Sequence, residues 1–258
     1  MKKMLVMLLT LVMAFTAVTA FAEAASDKQY VLDKGKLVVG ITDFAPMDYK
    51  NEAGEWIGFD ADIAKAFAAK LGVEVEFVEI DWDNKILELN GQAVDCIWNG
   101  MTLTDAVKNA MECSNPYMNN AQVVVVPADK ADAYQTVESI ADLSFAAEAG
   151  SAGEAELNAL SLNVTPVATQ ADALMEVAAM TSDAAVIDAL MAAAMIGEGT
   201  SYENLTYTVG LNSEEYGVGF RKGSDLAAEL NAFFVESYAD MVAVAEVYGV
   251  QAALIEQK

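Results

Sequence analysis

The 258 residues carry 39 acidic side chains against 14 basic ones, a formal net charge of −25, and no histidine. So acidic a chain is repelled by nucleic-acid phosphates at long range, and that class of partner is excluded. Without imidazole, neither Ser-His nor Cys-His nucleophilic pairs nor the usual zinc sites can form. The length suits one large domain or two intimate lobes.

Lys2 and Lys3 precede a nearly unbroken apolar run over residues 4–18, and then the small-residue site Ala20-Phe21-Ala22. That order of basic, apolar and small predicts a secretory signal over residues 1–22, cleaved after Ala22. Its removal takes two lysines and moves the formal charge from −25 to −27. No cysteine follows the apolar run, so a lipid anchor is not expected. No later segment is long and apolar enough to span a membrane. The mature protein is expected to be exported, periplasmic or extracellular.

Residues 37–41 read as a buried strand that opens into a loop over residues 42–55. Phe59, Ile63, Phe67 and Leu71 then recur every four residues and predict a helix that Gly72 stops. Residues 73–78 alternate as a half-buried strand, residues 83–89 form a helix ending at Asn90-Gly91, and residues 93–98 form another strand. A short helix begins at Asp105, with Thr104 placed to cap it. The valine run of residues 123–127 is a strand.

Composition then shifts to Ala, Asp and Ser. A second α/β unit follows, with strands at 144–148, 164–167 and 184–187 and helices after Gly153, at 170–180 and at 190–196. A strand at 216–220 and helices from Asp225 complete the chain. Met175, Met180, Met191 and Met195 read as soft core. Cys96 and Cys113 are the only cysteines, and a disulfide between them or two buried free thiols are both open readings.

Strands alternating with helices predict an α/β fold with mostly parallel sheets, whose ligands bind beyond the carboxyl ends of the strands. The loops there hold Phe44, Trp82, the run Asn99-Gly100-Met101-Thr102, and Gly150-Ser151-Ala152-Gly153. Asp188 ends an apolar strand, a costly position unless the carboxylate is paired or caps the next helix.

The segments "LVVGITDFAPMDY", "GEWIGFDADIAKAFAAKLG", "DWDNKILELNGQAVD", "NGMTLTD", "SNPYMNNAQVVVV", "EAGSAGE", "SDAAVID" and "EEYGVGFRKGSD" follow one another in order. Together they resemble the periplasmic solute-binding proteins of polar amino-acid ABC transporters, family 3. The resemblance covers nearly the whole mature chain. It implies a type II periplasmic-binding-protein-like fold, with a ligand enclosed between lobes joined by two hinge strands. Lobe 1 would comprise residues 36–120 and 216–258, lobe 2 residues 121–215, with crossings near 120–123 and 213–217.

Carried onto this chain, the resemblance makes Phe44 and Trp82 the aromatic sandwich for the ligand's side chain. Gly100 and Thr102 would grip its head group, with Asn99 and Met101 in the same wall. Ser151 and the N–H groups around Ala152 and Gly153 would bind a carboxylate, Asp188 an ammonium, and Glu148 the distal group. The partners implied are an amino acid or amine and an ABC permease; the protein would be a monomer with no catalytic residue, metal or cofactor. A cyclohexadienyl dehydratase-like enzyme using Glu148 as an acid, or a sensing protein for a signalling receptor, are the alternatives.

One departure affects the ligand. Where the family pattern has a carboxylate-clamping arginine, this chain has Val107. Losing such charge-assisted bonds removes about 1.5–3 kcal/mol of affinity for a carboxylate. Either neutral donors hold the anion, or Lys108 or Arg221 reaches in, or the ligand lacks a carboxylate.

Overall fold

The computed structural model describes residues 26–258; the expected signal peptide lies outside the described residues. In chain order the elements are α1 (Asp27–Lys34), β1 (Lys36–Ile41), β2 (Tyr49–Lys50), β3 (Trp56–Ile57), α2 (Phe59–Leu71), β4 (Glu74–Glu79), α3 (Lys85–Asn90), β5 (Cys96–Thr102), α4 (Asp105–Ala110), β6 (Glu112–Cys113) and β7 (Met118–Asn120). Next come β8 (Gln122–Pro127), β9 (Ser144–Glu148), α5 (Ala152–Ala159), β10 (Asn163–Val167), α6 (Gln170–Ala178), β11 (Ala184–Asp188), α7 (Ala189–Met195) and β12 (Leu205–Gly210). The chain closes with β13 (Glu214–Phe220), α8 (Leu226–Glu236) and α9 (Tyr238–Tyr248).

Two sheets organise these elements. The first runs β4-β1-β5-β13-β6, with β7 also on β13; the second runs β10-β9-β11-β8-β12. In each, three strands are parallel, as strand–helix alternation requires. The remaining strands are antiparallel, because β8 and β13 arrive from the other sheet rather than through a crossover helix. Consecutive β7 and β8 lie in different sheets, as do β12 and β13, so the chain crosses at Ala121 and again at residues 211–213.

The strand expected at residues 93–98 is displaced to Cys96–Thr102. Its extension comes from β13, which pairs Tyr216 with Thr102 and Gly217 with Met101 and so draws the Asn99–Thr102 run into the sheet. Before the strand, the Asp95 N–H donates to the Val38 carbonyl at 2.7 Å, while its carboxylate accepts the Val38 N–H at 2.8 Å and the Lys34 ammonium at 2.6 Å. α2 buries Phe59, Ile63 and Phe67 and ends at Gly72, whose φ of 78° is the left-handed cap that glycine favours. β4 is an edge strand and exposes Glu74 and Glu79, charges that blunt pairing with another chain.

α8 and α9 return to the first sheet and close its core, where Trp98 and Phe67 meet Phe233 and Phe234. The methionine reading is half right. Met191 is buried, whereas Met175 and Met180 are exposed on the second unit's surface.

Both cysteines are free thiols. Cys96 on β5 pairs with Phe220 and Cys113 on β6 pairs with Gly219, so β13 lies between them. Two strand spacings amount to about 9–10 Å, beyond the roughly 7 Å Cα separation a disulfide tolerates. Burial pushes both thiols up, Cys96 well above its ordinary range. A thiol reagent applied without reductant is expected to titrate Cys113 slowly in the native protein and both residues after denaturation; a cross-link seen by mass spectrometry would contradict this register.

Candidate functional site

A cavity of about 190 Å³ lies between the two sheets at the carboxyl ends of their parallel strands. The first sheet's wall comes from Trp82 in the turn after β4, Lys85 and Ile86 at the start of α3, the end of β5, and Val107 of α4. The facing wall holds Glu148 at the end of β9, Ser151 and Ala152 where α5 begins, Gln170 at the start of α6, and Asp188 at the end of β11. Of the residues expected from sequence, Trp82, Asn99, Gly100, Met101, Thr102, Glu148, Ser151, Ala152 and Asp188 meet at this cavity. Phe44 does not line it.

Phe44 instead packs beneath Gly100, edge-on to Tyr216 with ring centroids 6.4 Å apart, and is 1% exposed. Gly100 has φ +55°, and a Cβ there would fall 2.4 Å from the Phe44 ring, so only glycine fits. Its N–H donates to Asp60 Oδ2 at 2.7 Å, and the Tyr117 hydroxyl donates to the same oxygen at 2.7 Å. Burial pushes Asp60 up to about 7, although these two bonds favour its ionised form. The head-group wall is therefore held from behind.

Asn99 also works partly from behind the wall, taking the Thr42 N–H on Oδ1 at 2.8 Å. The Thr102 hydroxyl donates to Glu214 at 3.0 Å. Thr104 caps α4 by accepting the Val107 N–H at 3.2 Å, the structural role expected for it. Ser151 caps α5, accepting the Glu154 N–H at 3.1 Å, which leaves its own O–H able to donate into the cleft.

Asp188 directly precedes α7 yet makes no capping bond. Its Oδ1 accepts from the amides of Asn120 and Gln122 and its Oδ2 from that of Gln170. Asn120 and Gln122 also donate to Glu214 Oε1, at 2.7 and 2.8 Å. Burial, followed by repulsion from Glu214, pushes Asp188 up to about 8 against the pull of the amides. Glu148 is likewise pushed up to about 8, by burial and by Asp188, and its Oε1 has no hydrogen-bond partner.

Sequence reasoning missed Lys85. Its ammonium donates to the carbonyls of Trp82 at 3.1 Å and Gly150 at 2.8 Å, and lies 4.8 Å from the centroid of the Trp82 ring. Burial lowers its pKa, and the charges of Glu148, Asp83 and Glu154 act to restore it. The available signal was its spacing, one helical turn beyond Trp82. The two cations considered beforehand are elsewhere. Arg221 pairs with Asp27 at 3.0 Å and bonds the Val94 carbonyl, while Lys108 is exposed.

Taken together, the cavity presents a buried carboxyl held by amides, a second carboxyl with an unpartnered oxygen, one ammonium and one indole face. Such a set binds and orients a small polar molecule with a cationic group. Its volume lies below the roughly 300–1,000 Å³ of sites for drug-sized ligands.

The chain matches bacterial extracellular solute-binding proteins, family 3, over residues 37–248. It is 28% identical over 238 residues to the arginine-binding extracellular protein ArtP of Bacillus subtilis, covering 90% of this chain and 91% of that one. It is 31% identical over 195 residues to a glutamine-binding protein of Geobacillus stearothermophilus, covering 73% and 74%. Among solved structures, a mutant of ArgBP from T. maritima superposes with a TM-score of 0.81 at 30% identity, covering 86% of this chain and 98% of that one. A substrate-binding protein of an ABC uptake transporter from Streptococcus pneumoniae, with bound histidine, gives 0.80 at 28% identity, covering 90% and 99%. With two sheets, two crossings and a cavity between them, and a family match that spans most of its length, this chain belongs to the family 3 bacterial extracellular solute-binding proteins and has their two-lobed type II fold.

Proposed function

We propose that the protein captures a small solute bearing a primary ammonium, an amino acid or a close relative of one, and hands it to an ABC permease in the membrane. The observation that carries this reading is Asp188, a buried carboxyl turned away from its own helix and held by three amides at the cavity wall. Amides fix its position without neutralising it, so an arriving ammonium supplies the missing charge. Trp82 gives the solute an apolar face, and Ser151 and the start of α5 supply neutral donors for an anionic end. Relatives named for binding arginine and glutamine support capture rather than catalysis.

The protein works as an exported monomer released from its signal peptide after Ala22. Lobe 1 is residues 36–120 with 216–258 and lobe 2 residues 121–215, a division supported by the two crossings between sheets. Closure is a shift between open and closed arrangements of these lobes, favoured by a solute that touches both.

Thermal-shift and calorimetric screening of the mature protein against amino acids and their decarboxylated amines tests the reading. At least one should stabilise the protein, and silence across the panel would refute it. Asp188→Asn is expected to weaken that ligand about 10- to 100-fold, the equivalent of ~1.5–3 kcal/mol for a charged hydrogen bond, without loss of the fold. Val107→Arg is expected to tighten a carboxylate-bearing ligand and leave its decarboxylated amine unimproved, measured as a ratio of dissociation constants.

The pH dependence follows from the raised carboxyls. Asp188 and Glu148 titrate near 8 in the folded protein and near ~4 in an unfolded chain. Between those values the folded state holds more protons, so the stability of the ligand-free protein falls as pH rises through that window. A cationic ligand favours the ionised carboxyl, so its affinity should rise from pH 6 towards 8 with proton release, and then level off. Calorimetry in buffers of different ionisation enthalpy reads that release directly.

A further inference from the structure

We propose that Lys85 is the selectivity residue of the cleft, a built-in cation that occupies the distal subsite and bars solutes with a basic side chain. The inference rests on the amine-capture reading above and narrows its solute class.

A second cation on a solute would use an aromatic face or an unpaired carboxylate. The cavity contains both, and Lys85 already covers the aromatic face. Its ammonium lies 4.8 Å from the centroid of the Trp82 ring. Its charge also acts on Glu148, whose Oε1 is buried without a hydrogen-bond partner. Two carbonyls fix the ammonium in place, Trp82 O from the first sheet's side and Gly150 O from the second's. Lys85 is itself 8% exposed and, among the described residues, is the one cation lining the cavity.

The Gly150 carbonyl at 2.8 Å and the Trp82 carbonyl at 3.1 Å hold the Lys85 ammonium at this end of the cavity. A guanidinium or second ammonium entering the distal end would therefore meet a like charge in a desolvated space, where repulsion is weakly screened. The solute class is thus a compound with one ammonium and a side chain that carries no positive charge.

The test is isothermal calorimetry of the mature protein with L-alanine, L-serine, L-glutamine, L-lysine and L-arginine. It is run on the wild type, Lys85→Met and Lys85→Arg, each checked for folding by circular dichroism. The wild type should bind one or more of the neutral amino acids and bind lysine and arginine at least tenfold more weakly. Lys85→Met, which keeps the stem and removes the charge, should raise the affinity for lysine or arginine relative to that for the neutral ligand at least tenfold. Lys85→Arg should preserve the rejection.

Wild-type preference for arginine or lysine would overturn the inference even if Lys85→Met failed to fold. So would an unchanged ranking in folded Lys85→Met, and both results would leave amine capture standing. Silence of the wild type towards every compound would overturn the capture reading and this inference together.

Discussion

The site depends on one arrangement, two buried carboxyls that share neutral donors. Asp188 ends a strand of the second sheet and Glu214 begins a strand of the first. Asn120 and Gln122, on either side of the crossing at Ala121, donate to both acids. The other crossing is tied in through Asn212, which accepts the Gln122 N–H at 2.7 Å and donates to Glu214 at 2.9 Å. Burying two acids together is expensive, and no lysine or arginine among the described residues pairs with either one. The amides offset part of the cost, and a raised proton affinity at Asp188 offsets more. In the proposed function, the knot that joins the sheets is also the seat for the solute's ammonium.

The opposite wall is rigid for a different reason. Gly100 is pinned by Asp60 and Tyr117 behind it and by the Phe44 ring below it. A wall supported in this way positions a ligand more accurately than a loop would. Its cost is visible in Asp48, whose two carboxylate oxygens are buried without partners, and in Asp60, whose Oδ1 is too. Repulsion between these two acids adds to the burial that raises Asp48 well above its ordinary range. Replacing the expected arginine by Val107 changes the lining of this wall and leaves its support intact.

Much of this was legible in the amino-acid sequence, because local patterns carry it. The four-residue period of α2 and the alternation of β4 each report one buried face, and the valine run of β8 reports a strand buried on both. The strand ends and their loops carried Trp82, Asn99, Gly100, Met101, Thr102, Glu148, Ser151, Ala152 and Asp188 but not Lys85, Gln122 or Gln170. What escaped depends on distant partners. β5 is extended by pairing with β13, and nothing within residues 96–102 announces it. The separation of Cys96 from Cys113 is set by that same intervening strand. β12 is an edge strand with polar residues on its open face, and α1 buries only Val31, so neither has a strong period. Phe44 was placed in the cleft and Lys85 was missed because side-chain direction at the end of a turn follows tertiary contacts. The aromatic ring found a core beneath Gly100, and the lysine found two carbonyls in the cleft.

The placement of the tryptophans has an optical consequence. Trp98 is sealed in the first sheet's core and Trp56 sits half-buried beside Lys50, but Trp82 faces the cavity under a fixed ammonium. An indole's emission responds to nearby charge and to the polarity around its ring. The cleft thus contains its own fluorophore, and the other two indoles provide a steady background against which changes at the site stand out.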